Sequence, residues 1–176
     1  KVYPNFVNCM FFDPNTDILF RLFIQDEKII NPSRSYDLYK KGTLIIYTDG
    51  RVETKTLREL NPTGVKLAVQ GFNLDYEANG SKSLISSIRK ENWSSDVSRY
   101  CTRPGFGYNY QKGKLIIAIK TTDAIGIRST MRSLGCIDKN GNTVAIGGDS
   151  GDSITEVYNG KVIYGTTRLQ RSIFTF

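Results

Sequence analysis

The pattern of apolar and polar positions along the chain is mainly that of short β-strands separated by tight turns. Four runs are rich in β-branched and aromatic residues and predict a strand each, at residues 18–24, 43–48, 65–69 and 114–119. Dipeptides that end in glycine, such as Asp49-Gly50 and Lys112-Gly113, separate the runs. Asn159-Gly160 lies between "ITEVY" and "KVIY" and predicts a two-residue hairpin turn, because both residues tolerate a positive φ.

One helix is indicated in the second half of the chain. Asp123 is a suitable N-cap residue, and Ile127, Met131 and Leu134 follow it at the spacing i, i+4 and i+7. Gly135 stands where a helix C-terminus favours a left-handed residue. The sequence therefore predicts an amphipathic helix that ends at this glycine.

A second helix is less strongly marked within residues 81–98. Leu84, Ile85 and Ile88 would line a short helix, but the many serines equally suit a surface loop. No internal repeat or low-complexity linker divides the chain. We therefore predict a single α+β domain over residues 1–176, built on a mostly antiparallel or mixed β-sheet with one or two helices packed on it.

Composition and charge narrow the class of protein. The 176 residues are 39% hydrophobic and include ten Tyr and nine Phe, which is typical of a globular protein. No apolar run is long enough for a membrane span. The net charge is +7, but the basic residues are scattered, and no nucleic-acid partner is predicted. Because the chain begins at Lys1 without Met, we expect a processed product or an excised domain. As to assembly, we expect part of a larger chain or a homo-oligomer.

The sequence contains no histidine, which excludes several kinds of catalytic site. Ser-His and Cys-His dyads and imidazole-based zinc sites are impossible, so proton transfer would fall mainly to Asp, Glu, Lys, Tyr or Cys. Cys9, Cys101 and Cys136 are far apart and form no CxxC pair. The three cysteines could form one disulfide and leave one free thiol, or all three could be reduced. For Cys9 and Cys101 we expect reduced thiols near the candidate site.

The segment with the most unusual composition is "VAIGGDSGDSITEVYNGKVIY", residues 144–164. An apolar run ends where the glycines begin and a strand starts soon after, so Asp149 is predicted on a strand-to-strand connection. Glycines there allow other groups to approach the backbone closely. A polar turn whose Asp and Ser side chains bond to their own backbone is the alternative, and a calcium loop is a third, although the spacing is not that of an EF-hand.

This segment also resembles the signature of the phosphodiester glycosidase family, which reads roughly Asn-Leu-Asp-Gly-Gly-Gly-Ser, a strand, then Asn-Gly-Lys. With Asn159-Gly160-Lys161 matched, the family Asp falls on Asp149 and its Ser on Ser153. "FVNCMFFDPNTDILFRLF" is similar to the family's early Asn-Gly-Gly-Phe-Phe motif, at Asn8 and Phe12. "RPGFGYNY" resembles its Arg-x-x-x-Gly-Tyr segment, and Arg168 stands where members carry an Arg before their last strand.

The resemblance covers most of the chain in order, but several positions depart from the family pattern. Cys9 and Met10 replace two glycines of the first motif, Gly147 replaces an Asn, and the glycine triplet has become 150–152, Ser-Gly-Asp. These changes imply a narrower, more polar and more acidic pocket. The protein could therefore act on a different substrate from the family's, or it could bind a substrate without cleaving it.

The family resemblance implies a hydrolase that releases a sugar from a phosphodiester. In that chemistry an Arg, here Arg103 or Arg168, holds the phosphate, and a carboxylate, here Asp149, stabilises or attacks the sugar centre or activates water. Arg103 could equally pair with a surface carboxylate, and Phe12 could equally belong to the core. The implied catalytic residues are Asp149, Arg103, Asn8 and Ser153, and the implied substrate-binding residues are Arg168, Asp152, Ser150, Gly148, Phe12 and Tyr108.

Partner and location follow from the same resemblance. A glycan or sugar-phosphate substrate is expected, with no cofactor, calcium being the alternative. The resemblance favours a bacterial or phage protein that is secreted, attached to the cell surface or associated with a virion. The competing hypothesis is a non-catalytic module that binds carbohydrate or a cell-surface polymer, as on a phage tail or surface protein.

Overall fold

The computed structural model describes residues 22–31 and 39–149 in full, together with the backbone of four short strands outside these ranges. In chain order the strands are β1 (Phe6–Asn8), β2 (Phe23–Gln25), β3 (Lys28–Asn31), β4 (Lys41–Tyr47), β5 (Val52–Leu57), β6 (Val65–Asn73), β7 (Cys101–Asn109), β8 (Lys114–Thr122), β9 (Ala145–Gly147), β10 (Thr155–Tyr158), β11 (Lys161–Gly165) and β12 (Ile173–Thr175). The helices are α1 (Leu84–Lys90), a 3-10 helix (Ser95–Ser98) and α2 (Ala124–Ser133).

The described strands form two sheets. Within each sheet, every pair of neighbouring strands is antiparallel. The larger sheet has the order β3-β2-β6-β9-β7-β8, and β4 joins it by pairing with both β5 and β6. The smaller sheet has the order β11-β10-β1-β12. With two α-helices packed on mostly antiparallel strands, the fold is the predicted α+β class.

The predicted turns connect paired strands. Asp49-Gly50 joins β4 to β5, and Lys112-Gly113 lies between β7 and β8, with Gly113 at a φ of 61°. Tyr158 of β10 is opposite Lys161 of β11, so two residues connect these strands as predicted. The conformation of Asn159-Gly160 itself lies outside the described residues, as does most of the strand predicted at 18–24.

Helix α2 begins and ends as its sequence predicts. The Asp123 carboxylate accepts a hydrogen bond from the Gly126 amide at 2.7 Å, and Gly135 follows the helix with a φ of 80°. Ile127 and Met131 are buried, but Leu134 is 42% exposed. Leu134 is already the C-cap residue, where the chain leaves the helical path, so the predicted apolar stripe stops one turn earlier.

The segment at residues 81–98 is partly helical. A capping box at Ser83 opens α1, in which the Ser83 hydroxyl accepts from the Ser86 amide while the Ser86 hydroxyl accepts from the Ser83 amide. Leu84 and Ile88 are buried, and Ser94 caps the 3-10 helix that follows. The serines therefore act as caps of short helices, which resolves the two alternatives in favour of a helix.

Side chains on the two faces of the larger sheet enter different cores. Phe72 of β6 packs with α1 and α2 on one face, where the two helices bury Leu84, Ile127 and Met131. On the other face, Phe106 packs with apolar side chains of β4, β6 and β9, including Leu44, Val69 and Ile146. No helix in the described part of the chain is both long and apolar enough to cross a membrane.

Candidate functional site

The predicted signature begins at the meeting of β7 and β9 in the larger sheet. Gly105 is opposite Gly147, and Phe106 is opposite Ile146. The Gly148 amide donates to the Pro104 carbonyl at 3.0 Å, which continues the pairing one residue beyond β9. On this register the next facing positions are Arg103 and Asp149. Asp149 lies after β9 and before β10, on the strand-to-strand connection that the sequence predicts.

Two of the glycines here are required by packing. A Cβ atom at Gly147 would overlap the ring of Phe72, whose side chain is completely buried. A Cβ atom at Gly71, on the adjacent strand β6, would overlap the carbonyl oxygen of Gly147. Gly147 thus allows Phe72 to lie directly on β9.

Arg103 is completely buried and its guanidinium binds the protein itself. Its Nε donates to the Thr122 carbonyl at 3.1 Å, its Nη1 donates to the Val97 carbonyl at 2.5 Å, and its Nη2 donates to the Arg99 carbonyl. Nη2 also lies 2.9 Å from the Cys101 sulfur. Burial lowers the pKa of the Arg103 guanidinium, and the nearby Cys101 thiol opposes that shift. Arg103 therefore joins the end of β8 to the 3-10 helix and to the residue that follows it.

Tyr108 lies elsewhere on β7, five residues from Arg103 and on the opposite face of the sheet. Side chains alternate along a strand, so Arg103 shares the helix-covered face with Gly105, whereas Tyr108 packs with the apolar cluster around Phe106. Its ring meets Tyr110 edge to face at 5.1 Å. The structure does not bring Arg103 and Tyr108 together in one site, contrary to the expectation from the motif.

The other predicted site residues can be placed only in part. Asn8 ends β1, where its backbone is opposite Ile173 of β12. Gly148 is buried, and Asp149 is half-buried. The remaining predicted residues lie outside the described part of the chain: Phe12, Ser150, Asp152, Ser153 and Arg168.

Two of the three cysteines lie in the described part of the chain. Cys101 is half-buried and Cys136 is buried, and both are free thiols. Burial raises the pKa of the Cys136 thiol to about 11. Cys9 lies outside the described residues. Among the residues that the structure describes, no three or more His, Cys, Asp or Glu side chains are grouped so that they could hold a metal ion.

A second polar site, which the sequence did not reveal, is centred on Glu91 directly after α1. Glu91 is 1% exposed, and its Oε2 accepts from the Trp93 indole at 2.8 Å. The backbone amides of Gly42 and Asn73 donate to the same oxygen, each at 3.2 Å. Burial raises the pKa of the Glu91 carboxyl to about 7, although these hydrogen bonds and the Lys41 ammonium lower it.

Glu91 opens onto a cavity of about 590 Å³. Its walls come from β5, from the residues before β4, from the end of α1 and from the turn that precedes α1. The polar lining consists mainly of Lys40, Thr54, Lys55, Asn79, Lys90 and Glu91. A signal for Glu91 was present in the sequence, because it lies at i+7 from Leu84 and i+3 from Ile88, on the apolar face of the helix.

Comparisons with known proteins identify the fold. The sequence matches no family model and no curated protein sequence. The structure is similar to the catalytic domain of zebrafish N-acetylglucosamine-1-phosphodiester alpha-N-acetylglucosaminidase, auto-inhibited by its pro-peptide, at a TM-score of 0.65 and 18% sequence identity. That match covers 98% of this chain and 61% of the zebrafish chain. A hypothetical protein from Synechocystis matches at a TM-score of 0.54 and 11% identity, over 97% of this chain and 49% of its own. This chain therefore has the fold of a glycosidase catalytic domain while spanning about three fifths of the zebrafish chain.

Proposed function

We propose that the protein is a phosphodiester glycosidase-like hydrolase. Water would add to the anomeric carbon of a sugar phosphodiester, and the bond from that carbon to the phosphate oxygen would break. The observation that carries the proposal is the fold likeness, over 98% of this chain, to a catalytic domain whose name states this activity. The order of the signature segments along the sequence supports it.

In this proposal Asp149 supplies the carboxylate that acts on the sugar centre. It follows β9, the strand between β6 and β7, and a buried Gly148 fixes its start by donating to Pro104. We assign Asn8 and Ser153 to orienting the sugar or the nucleophile. Ser150, Asp152, Gly148 and Phe12 would line the substrate.

The phosphate is assigned to Arg168, with Arg103 in a positioning role. A phosphate clamp needs guanidinium N–H groups that face the ligand, ideally two in parallel. Arg103 already donates to three backbone carbonyls and approaches the Cys101 sulfur, so its guanidinium orients protein segments next to Asp149. The same observation favours the second candidate function, a carbohydrate- or polymer-binding module without turnover, because it removes one expected substrate contact.

The test is hydrolysis of a panel of sugar 1-phosphodiesters, beginning with N-acetylglucosamine 1-phosphodiesters. Asp149→Asn should lower kcat/KM by at least about 100-fold, since a catalytic carboxylate contributes 10²–10⁴-fold in rate, with little change in melting temperature. Glu59→Gln is the charge-matched control, because Glu59 has a side chain that is 76% exposed, and it should keep full activity. If Asp149→Asn unfolds readily yet retains its activity per folded molecule, Asp149 belongs to a structural turn. Binding of panel sugars without turnover would establish the binding module instead.

A further inference from the structure

Among the described residues, three buried polar side-chain atoms without a hydrogen-bond partner belong to residues that line the cavity beside Glu91. They are Thr54 Oγ1, Asn79 Oδ1 and Glu91 Oε1. A buried polar atom without a partner destabilises the fold, and more so when the group is charged. Three such atoms around one opening indicate a ligand that carries several hydrogen-bonding groups.

Glu91 is the most specific of the three. Its Oε2 is held by Trp93 and by two backbone amides, so the carboxylate is fixed in orientation. Its Oε1 is left as an acceptor without a partner, on a residue that is 1% exposed. A fixed carboxylate oxygen accepts strong hydrogen bonds from hydroxyl groups, which is a common way in which proteins recognise a sugar.

The lining also includes three lysines and one aromatic ring, beside the neutral residues Thr56, Leu57 and Ala78. Lys40, Lys55 and Lys90 surround the opening. Lys90 is held by a hydrogen bond from its Nζ to the Asn79 carbonyl at 2.6 Å, and Lys55 pairs with Glu53 at 2.8 Å. Tyr39 lines the same opening and is 49% exposed. Ammonium groups attract an anion, and the ring offers an apolar surface.

We infer that this cavity is a binding site for an anionic sugar, a monosaccharide unit that carries a phosphate or a carboxylate. Its hydroxyl groups would donate to Glu91 Oε1 and Asn79 Oδ1 and exchange a hydrogen bond with Thr54, while its charged group faces the lysines. A cavity of about 590 Å³ is within the usual size range of small-ligand sites. The inference does not rest on the proposed hydrolysis at Asp149.

Two simpler ligands fit the lining less well. Inorganic phosphate could contact the lysines, but it would leave the Glu91 oxygen unpaired and would be repelled by that carboxylate. A metal cation would meet one carboxylate and three ammonium groups, and the described residues hold no cluster of metal-ligating side chains. A sugar that carries an anionic group supplies hydroxyl donors for the unpartnered oxygen atoms and a negative charge for the lysines.

The probes are glucose 1-phosphate, N-acetylglucosamine 1-phosphate and glucuronate, compared with glucose, N-acetylglucosamine and inorganic phosphate. Binding is measured at pH 8.5, because burial raises the pKa of the Glu91 carboxyl to about 7 and Oε1 is an acceptor only in the ionised form. The readouts are calorimetry and the fluorescence of Trp93, the single tryptophan of the chain, which donates to the Glu91 carboxylate. At least one charged sugar should bind about tenfold or more tightly than both its neutral parent and phosphate, a difference expected for a charge-assisted contact. Failure of all three charged sugars to bind, or phosphate binding as tightly as they do, would overturn the inference.

Variants locate the binding. Glu91→Gln places an amide N–H where the ligand needs an acceptor and should weaken the charged sugar about tenfold or more. Because Glu91 also binds the backbone of β4 and β6, Thr54→Val is the second variant, and it should weaken binding without affecting that network. Lys40→Met should reduce the preference for charged sugars, whereas Lys66→Met, at an exposed position outside the cavity, should not.

Asp149→Asn separates this inference from the proposed function. Binding in the cavity and the Trp93 response should persist in that variant even though hydrolysis is lost. Unchanged affinity in both Glu91→Gln and Thr54→Val, or loss of binding in Asp149→Asn alone, would place the sugar elsewhere and refute the cavity site.

Discussion

The indole Nε1 of Trp93 donates to the Glu91 carboxylate at 2.8 Å, in a position where Glu91 is almost fully excluded from solvent. Lys41 lies over the Trp93 ring, with its Nζ 4.5 Å from the ring centroid, and donates to the carbonyls of Glu91 and Asn92. These contacts attach the end of α1 to β4. A single buried carboxylate thus links a helix to the sheet, and its charge state should affect stability.

We predict that stability falls as the pH rises from about 4.5 to about 7. Burial raises the pKa of Glu91 from 4.5 in the unfolded chain to about 7, so within this window the folded protein keeps a proton that the unfolded chain has released. The free energy of unfolding therefore decreases with pH across the window, by about 3 kcal/mol in total, and levels off above it.

Glu91→Gln isolates this contribution, because glutamine has nearly the same shape and does not titrate. Urea unfolding of both proteins between pH 4.5 and 8.5 should show the wild type losing stability relative to the variant as the pH rises. Asp75, whose pKa is also raised by burial, to about 6, is present in both proteins and cancels in the difference. A difference that is independent of pH would show that Glu91 titrates normally.

Arg103→Lys should destabilise the fold by about 3 kcal/mol in urea unfolding. The ammonium group cannot reproduce the fork that donates to Val97, Arg99 and Thr122, and it leaves buried carbonyls without a partner. Arg51→Lys is the matched control, because Arg51 has a side chain that is 60% exposed, and it should change stability by under about 0.5 kcal/mol.

The same variant tests the role assigned to Arg103. If Arg103 positions protein segments only, activity per folded molecule in Arg103→Lys should fall mainly in kcat, through displacement of Asp149, with KM nearly unchanged. A large rise in KM for the phosphodiester would show that Arg103 contacts the phosphate after all.

Features that depend on neighbouring residues could be predicted from the sequence. The cap at Asp123, the buried stripe of Ile127 and Met131 and the glycine after α2 act within a few residues, so the pattern alone specifies the helix. The turn at Asp49-Gly50 and the length of the β10–β11 connection follow from the same local chemistry. The α+β class follows from these elements together.

The partners of the buried charged side chains could not be predicted, because they depend on contacts between distant segments. Arg103 meets Thr122 only because β7 and β8 pair, and Lys41 and Glu91 are fifty residues apart. In the sequence Lys41 follows another lysine, which is typical of a solvated surface. The helical spacing that places Glu91 on the apolar face of α1 does not identify its partners. No strand is predicted from the sequence at residues 101–109, so the pattern does not separate Arg103 from Tyr108. Once β7 is known, their spacing of five residues places them on opposite faces.

The close packing of Phe72 on Gly147 gives a last prediction. Gly147→Ala should destabilise the protein by about 3 kcal/mol, because the added methyl group overlaps the completely buried ring of Phe72. The neighbouring strands β6 and β7 leave little room for β9 to move. Phe72→Leu removes the end of that ring and should itself be destabilising through lost packing. In the double variant the leucine leaves room for the methyl group, so the two changes together should cost less than the sum of the single changes, by at least about 1 kcal/mol. Chemical unfolding of the four proteins at one pH measures this coupling. Additive costs would mean that Gly147 is required for a reason other than the Phe72 ring, such as the approach of Gly71 to its carbonyl oxygen.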